Sequence, residues 1–168
     1  FDHGAQFFIA RTNKFKNFIQ PMIEAGVIQS WNAKFVEFKK NKIISSRQWS
    51  NEYPHYVGSP SMSSIGKYLS QDLNLVLNTE VKPQKQGDHW KIHSANNQDF
   101  GTYDWVISTA PAIQSAVLFP EKFEYRETLL KRKMMGCYSL MLGFNSSLDN
   151  DWGAALVSDA DISWVSVN

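Results

Sequence analysis

Two small residues, an amide and two aromatic rings stand together near the start of the chain and could bind a flat ligand with polar edges. Gly4 and Ala5 carry almost no side chain, so another group can approach the backbone closely at this point. Gln6 then adds an amide, and Phe7 and Phe8 add two rings. The same pattern is typical of a plain turn that leads into a buried strand, and spacing alone favours that simpler interpretation.

A second segment that could contact a ligand ends in Thr109, Ala110 and Pro111. The continuous apolar run at residues 105–107 predicts a strand that is buried on both faces. Pro111 then stands where the first residue of a helix is expected. The free N–H groups at such a helix start can bind an anion, although Thr109 is also a suitable helix cap.

Several enzyme classes are excluded because their local motifs are missing. The nine glycines form no Gly-x-Gly-x-x-Gly, no Walker loop and no Gly-x-Ser-x-Gly. His89 and His93 would lie about 13 Å apart in an extended segment, which is too far to share a metal ion. We therefore expect no metal site, and the sequence leaves the catalytic residues unknown.

Four segments, taken together and in order, indicate a protein family. They are Asp2-His-Gly-Ala-Gln-Phe-Phe8, Tyr56-Val-Gly58, Val106-Ile-Ser-Thr-Ala-Pro-Ala112 and Cys137-Tyr-Ser-Leu-Met-Leu-Gly-Phe144. In this order and approximate spacing they resemble the renalase-like proteins, which are flavin-dependent oxidoreductases related to the amine oxidases. The resemblance runs from end to end of the chain but covers only the middle of such a protein. Because the chain also starts without Met, we expect it to be a piece of a longer protein.

The resemblance implies an FAD-dependent oxidoreductase that oxidises an amine or a reduced nicotinamide-type substrate by hydride transfer to the flavin. The family's Gly-rich dinucleotide motif would precede these residues and a second flavin-contacting segment would follow them, so we expect the fragment alone to be inactive. The missing glycine loop favours an alternative, a non-catalytic structural or partner-binding domain. A binder of small apolar ligands is a third hypothesis.

Seven cofactor-binding residues are implied by the resemblance. The first three would lie near the isoalloxazine ring, the backbone of the fourth would pair with the adenine, and the last three would form the turn beside the dinucleotide. They are Gly4, Ala5, Gln6, Val81, Thr109, Ala110 and Pro111.

Four aromatic residues could line a substrate pocket over the flavin: Phe7, Phe8, Trp152 and Trp164. Aromatic side chains in a chain this rich in them are more often part of a core. Val81, similarly, would otherwise be an ordinary strand valine.

The composition is that of a soluble globular protein, with 43% apolar and 20% charged residues. The net charge of +1, with both signs mixed along the chain, gives no sign of a nucleic-acid or membrane partner. A single cysteine, Cys137, excludes an internal disulfide, fits a cytoplasmic location and is expected to be buried. The partners expected are a small-molecule substrate and a second copy of the chain, bound through an apolar side that a missing layer would cover.

The apolar pattern predicts an α+β protein, with a mainly antiparallel sheet and one buried strand-to-helix unit in a different layer. The resemblance identifies the sheet with a substrate-binding domain and the buried unit with a partial, Rossmann-like flavin-binding lobe. Residues 1–56 and 113–168 would form the two parts of the substrate-binding domain, and residues 57–112 would form the partial FAD-binding lobe.

Helical spacing predicts a first helix that starts at Thr12 or Asn13, is kinked or divided at Pro21 and stops at Gly26. A hairpin turn is expected at Asn41, a loop at residues 53–60 and a turn at residues 82–88. Further helices are expected from residue 61, from residue 111 and over residues 124–135. Strands are expected at 73–81, 90–93, 100–108, 137–144, 152–157 and 162–167, with Leu142 on a buried face.

Overall fold

The computed structural model describes residues 4–50, 52 and 54–167. The chain divides into two compact units: the first runs up to Asn74 and resumes at Ser139, and the second is Leu75–Tyr138. Helices and mostly antiparallel sheets occur together, so the mixed α and β class expected from the sequence is confirmed. The predicted division into substrate and flavin lobes concerns function and stays a prediction.

The helices and strands are short, and none of the helices in the described part of the chain is long and apolar enough to cross a membrane. In chain order the elements are β1 (Phe8–Ile9), α1 (Asn13–Glu24), β2 (Ile28–Ser30), β3 (Lys34–Lys39), β4 (Lys42–Gln48), β5 (His55–Gly58), α2 (Ser63–Leu69), β6 (Val81–Gln86), β7 (His89–Ser94), β8 (Asp99–Tyr103), α3 (Ala112–Leu118), α4 (Arg126–Leu130), β9 (Ala154–Ser158) and β10 (Trp164–Ser166).

Helix α1 begins and ends where the sequence predicts. The Thr12 hydroxyl caps its start by accepting a hydrogen bond from the backbone N–H of Phe15 at 3.2 Å. Gly26 ends it with a φ of +71°, and the N–H of Val27 donates back to the carbonyl of Met22 at 2.9 Å. This is the hydrogen-bond pattern of a glycine-terminated helix, which satisfies carbonyls that the helix itself leaves free.

Of the predicted kink or division of α1 at Pro21, the division is wrong, because the helix is continuous from Asn13 to Glu24. Pro21 removes one backbone N–H, but packing of the apolar face outweighs that loss. Ile19 and Met22 are each 2% exposed and join Ala10 and Ile28 in one of the two clusters of buried residues in the first unit.

A three-stranded antiparallel sheet with the order β1-β5-β2 lies beside this cluster. Its central strand, β5, lies within residues 53–60, so the loop predicted there is wrong. Tyr53 lies outside the described residues. Pro54, Gly58 and Pro60 indicated a break, but the backbone of β5 pairs on both sides. Gly58 is buried because the backbone at residues 61–62 approaches it closely: an added Cβ would stand 2.5 Å from the carbonyl oxygen of Ser61.

The second sheet of this unit has the order β10-β9-β3-β4, and β3 pairs with β9 in parallel, whereas the other strand pairs of the described residues are antiparallel. The predicted hairpin is confirmed: Lys40 and Asn41 turn with φ of 48° and 60° between β3 and β4. The strands expected at residues 152–157 and 162–167 are also confirmed, as β9 and β10. Ala154 and Ala155 are both fully buried, so small side chains let β9 be covered on both faces.

The second unit contains an antiparallel sheet with the order β6-β7-β8, together with α3 and α4. The strand predicted at residues 90–93 is confirmed within β7. The turn predicted at residues 82–88 is wrong over most of its length, since β6 continues to Gln86 and the chain turns at Gly87 with a φ of +57°. The predicted helix over residues 124–135 is shortened to Arg126–Leu130.

Three strands that the apolar pattern predicts are absent or displaced in the described chain. Residues 73–80 and 137–144 form no strand, and β8 ends at Tyr103, before the apolar run that was expected to be buried. Trp105 and Ile107 are each 85% exposed, and Leu142 is 60% exposed. Cys137 is exposed as well. An apolar run becomes a strand only where another strand pairs with it, and no such pairing occurs for these segments among the described residues.

Gly58→Ala should destabilise the first unit, because the new Cβ would meet the backbone at residues 61–62, which cannot move aside as a side chain could. We expect a loss of about 1–3 kcal/mol, the usual cost of overpacking. Gly66→Ala is the matched control, since Gly66 lies inside α2 with nothing within 4 Å of an added Cβ. That variant should gain about 0.5–1 kcal/mol from helix propensity. Equal unfolding midpoints in urea for both variants would contradict the close approach at Gly58.

Leu142→Ala should change the free energy of unfolding by no more than about 0.5 kcal/mol, as expected for an exposed side chain. Ile28→Ala, at a position that is 1% exposed, should cost about 2–5 kcal/mol. Chemical denaturation of both variants measures the contrast. A cost for Leu142→Ala close to that of Ile28→Ala would show that residues 137–144 are packed after all.

Candidate functional site

A cavity of about 220 Å³ lies within the first unit, where loops meet the ends of its two sheets. Its walls come from the segment before β1, the residue after β2, the end of β5 and its following turn, and the end of β10. The lining residues are Gln6, Trp31, Val57, Gly58, Pro60, Ser166 and Val167. None of these side chains is ionisable, so the cavity offers amide, hydroxyl and apolar surface and no charge.

Gln6 is held at this cavity by a hydrogen bond that joins opposite ends of the sequence. The indole Nε1 of Trp164 donates to Oε1 of Gln6 at 2.7 Å, and both residues are half-buried. Gln6 stands just before β1, and Trp164 is the first residue of β10, where it pairs with Leu156 of β9. The structure therefore brings together one residue predicted to contact the flavin and one predicted to line the substrate pocket.

Six rings form an aromatic cluster beside Gln6, with Phe7 in its middle. The Phe7 centroid lies 5.1 Å from that of His55, 5.3 Å from Trp49 and 5.9 Å from both Trp31 and Trp164. His55 stacks on Trp49 at 3.7 Å with nearly parallel planes. The members of the aromatic cluster are Phe7, Trp31, Phe35, Trp49, His55 and Trp164.

Phe35 and Trp49 are the most buried members of this cluster, at 5% and 7% exposure. Tilted and edge-on ring pairs of this kind stabilise a core beyond the area that they bury. The cluster therefore supports the cavity wall at Trp31, which is one of its members, and at Gln6, which Trp164 holds by a hydrogen bond.

The other two predicted pocket residues lie elsewhere. Phe8 stacks on Tyr56 at 5.6 Å and meets Phe15 edge-on at 5.8 Å, because successive residues of an extended segment point to opposite faces. Trp152 meets Phe38 edge-on at 5.8 Å. None of the four predicted aromatic residues is among the cavity-lining residues, and only Phe7 and Trp164 pack against each other.

Gly4 and Ala5, predicted to approach the cofactor ring, are exposed. An added Cβ at Gly4 would have nothing within 4 Å. None of the described protein atoms therefore approaches the backbone closely at Gly4, and the space beside it is open. Asp2 and His3, which belong to the same segment of the family resemblance, lie outside the described residues.

The remaining predicted cofactor residues belong to the second unit. Val81 is the first residue of β6, an edge strand of its sheet, and pairs with Ser94 of β7. Thr109, Ala110 and Pro111 form an exposed turn before α3. Pro111 is the capping residue and not the first helical residue, so the helix starts one residue later than predicted.

Two serines hold this turn in place. The Ser115 hydroxyl donates to the carbonyl of Ala110 at 2.9 Å and lies 2.8 Å from the Ser108 hydroxyl. Ser115 is buried, so its hydrogen bonds fix the turn against α3. Helix α3 itself has only seven residues.

The two carboxylates with clearly shifted acidity lie on the surface, apart from the cavity lining. Backbone N–H donation from Gly101 at 2.8 Å, followed by donation from Lys91, lowers the pKa of Asp99 from its usual 3.8. The Lys34 ammonium donates to Asp151 and lowers the pKa of that carboxyl. Among the described residues no group of three His, Cys, Asp or Glu side chains is placed to hold a metal ion.

Most of the cavity wall was not predicted from the sequence. Trp31, Pro60, Ser166 and Val167 carry no local motif that distinguishes them from other loop and strand residues. Gly58 had a usable signal, since it ends one of the four segments on which the family resemblance depends. No family model matches this chain.

Proposed function

We propose that this chain is part of an FAD-dependent oxidoreductase of the renalase-like kind. In this proposal it oxidises an amine or a reduced nicotinamide-type substrate by hydride transfer to the flavin. Residues 57–112 contribute a partial, Rossmann-like flavin-binding lobe, and residues 1–56 and 113–168 contribute the substrate-binding domain. A cytoplasmic location belongs to the same proposal and is supported by the single cysteine.

One observation supports the proposal most directly: the hydrogen bond between Gln6 and Trp164 at the edge of a cavity. The two residues were assigned to the cofactor and to the substrate pocket from segments at opposite ends of the sequence. If these residues served only to fill a core, there would be no particular reason for the Gln6 amide and the Trp164 indole to form a hydrogen bond beside a cavity.

The residues present fit one part of FAD better than another. Open space beside Gly4 and an amide at Gln6 suit the polar edge of a flat ring. The pyrophosphate needs several converging N–H groups, which a glycine loop supplies. The chain contains no such loop, and Pro111 brings no N–H to the turn before α3. The proposal therefore assigns pyrophosphate binding to residues outside these 168.

When bound, the flavin supplies the redox chemistry. The contribution of this chain is to hold the ring edge, to shape the space for the substrate and to keep that space free of charge. The cavity lining performs the last of these functions, because it contains only neutral side chains.

The protein made from the complete gene should be yellow and should release FAD on denaturation. A colourless preparation that takes up no FAD when it is added would rule out the enzyme proposal.

The 168-residue chain alone should bind FAD too weakly for saturable quenching of flavin fluorescence at micromolar concentration, because the glycine loop is missing. Saturable quenching at that concentration would show that the pyrophosphate does not need residues outside these 168, contrary to the proposal.

Gly4→Val in the complete protein should lower the FAD content while leaving the melting temperature nearly unchanged. The branched side chain would enter the space proposed for the ring, yet it meets no described protein atom there. Gly143→Val is the matched control, since Gly143 also has nothing within 4 Å of an added Cβ and has no proposed cofactor role. Equal FAD content in the two variants would exclude Gly4 from the ring site.

A second candidate function, a non-catalytic partner-binding domain, is favoured by the exposed apolar side chains of the second unit. Besides Trp105 and Ile107, Leu77 is 72% exposed and Val117 is 71% exposed. This candidate takes these side chains to form a contiguous apolar patch, the kind of surface that marks an interaction site. Self-association of the chain through these residues is part of this candidate, and light scattering during size exclusion would reveal it. Bound FAD in the complete protein would decide between the two candidates.

A further inference from the structure

The hydrogen bond between Trp164 and Gln6 fixes which end of the Gln6 amide faces the cavity. An indole N–H can only donate, so the group that meets it at 2.7 Å must be the amide oxygen of Gln6. That leaves the amide NH₂ of Gln6, for which the described part of the chain provides no acceptor. Gln6 lines the cavity, so the two N–H donors of this NH₂ are the groups that it can present there, while one lone pair of its oxygen is already used by the Trp164 N–H.

Trp164 is itself held in place by its neighbours. Its ring lies 5.9 Å from Phe7 and 5.9 Å from Phe35, with both pairs tilted by about 30°. Its backbone pairs with Leu156 in the hairpin of β9 and β10. The indole N–H is therefore directed by the aromatic cluster and the sheet, and it does not depend on a ligand for its orientation.

The rest of the cavity suits a small neutral ring. Trp31, Val57 and Pro60 supply apolar surface, and Ser166 supplies a hydroxyl. The volume of about 220 Å³ corresponds to about seven water molecules, enough for a molecule of one or two rings. A charged ligand would lose its hydration without meeting an opposite charge on the lining residues, which is costly.

We propose that Trp164 is a positioning residue that turns the Gln6 amide into a donor, so that the cavity selects an uncharged ring compound with a hydrogen-bond acceptor. The identity of the natural ligand rests on the proposed function, whereas the polarity of the site follows from the Gln6–Trp164 hydrogen bond. A carbonyl next to a ring meets the requirement. An amidinium of the same size fails it, because it would present donors to donors.

Three probes of nearly equal shape test this selection: benzamide, which is neutral and carries a carbonyl acceptor, benzamidine, which is cationic and donates only, and benzoate, which accepts but is anionic. Ligand-observed NMR titration of the 168-residue chain would give their affinities. Benzamide should bind at least about fivefold more tightly than either of the others, the size expected for one net hydrogen bond. Failure of benzamide to bind, or equal binding of the three probes, would overturn the proposal.

Trp164→Phe keeps a ring in the aromatic cluster but removes the N–H. Gln6 can then turn its amide over, so the preference for benzamide over benzamidine should shrink to within about twofold. Trp152→Phe is the matched control, because Trp152 packs on Phe38 and does not line the cavity, and it should keep the wild-type preference. If Trp164 only supported the fold, its loss would weaken all three probes alike and leave their ratios unchanged, and that result would reject the positioning role.

Gln6→Glu provides an independent variant that leaves Trp164 in place. The carboxylate can still accept from the indole N–H, but it offers the cavity no donor. Benzamidine should now bind more tightly than benzamide, which reverses the wild-type order. An unchanged order would also reject the proposal. None of these titrations contains flavin, so their outcome is separate from that of the FAD experiments.

Discussion

The parallel pairing of β3 with β9 is the contact on which the first unit depends. It aligns Phe35 with Ala154 and Phe38 with Val157, and so attaches a late segment of the chain to an early one. The hairpin partner β10 follows β9 directly, and this hairpin carries Trp164 to Gln6. Without the β3–β9 ladder, neither the aromatic cluster nor the cavity would have its second side.

Small residues make this pairing possible. Ala154 and Ala155 are fully buried on opposite faces of β9, and Gly153 just before them lies so close to Ala33 that an added Cβ would stand 2.8 Å from the Cβ of that residue. The buried cluster of Ala33, Phe35, Trp49 and Ala154 thus has little spare volume at the start of β9. The bulky rings gather against these same small residues: Trp31 and Trp164 pack on the cluster that contains Ala33 and Ala154, and Trp31 also lines the cavity.

Local signals in the sequence were sufficient for those elements that are stabilised locally. The cap at Thr12, the stop at Gly26 and the turn at Asn41 each depend on the chemistry of one or two residues, and each lies where the sequence predicted it. The strand predicted at residues 137–144 is absent because alternation of apolar residues defines only a possible apolar face, whereas a strand also needs a neighbouring strand to pair with. Strand β5 was missed for the opposite reason: Gly58 and the prolines on either side of the strand indicated a loop, but two neighbouring strands pair with it.

The candidate site was predictable only in part. Gln6, Phe7 and Trp164 were named in advance, but nothing in the sequence indicated that Gln6 and Trp164 would share a hydrogen bond. Trp31 and Ser166 reached the cavity wall only through long-range pairing. Phe8 and Trp152 were chosen by residue type, and type alone does not show to which face of a strand a ring points.

The first unit is built from two stretches of sequence that are separated by the second unit, and this has a consequence for synthesis on the ribosome. Residues 75–138 form a unit of their own between the two parts of the first one. They emerge complete while β3 still lacks β9, and translation at about 5–20 residues per second leaves the edge of β3 open for several seconds. During that interval β3, with Phe35 and Val36 still uncovered, is a strand edge that a chaperone or another nascent chain can reach.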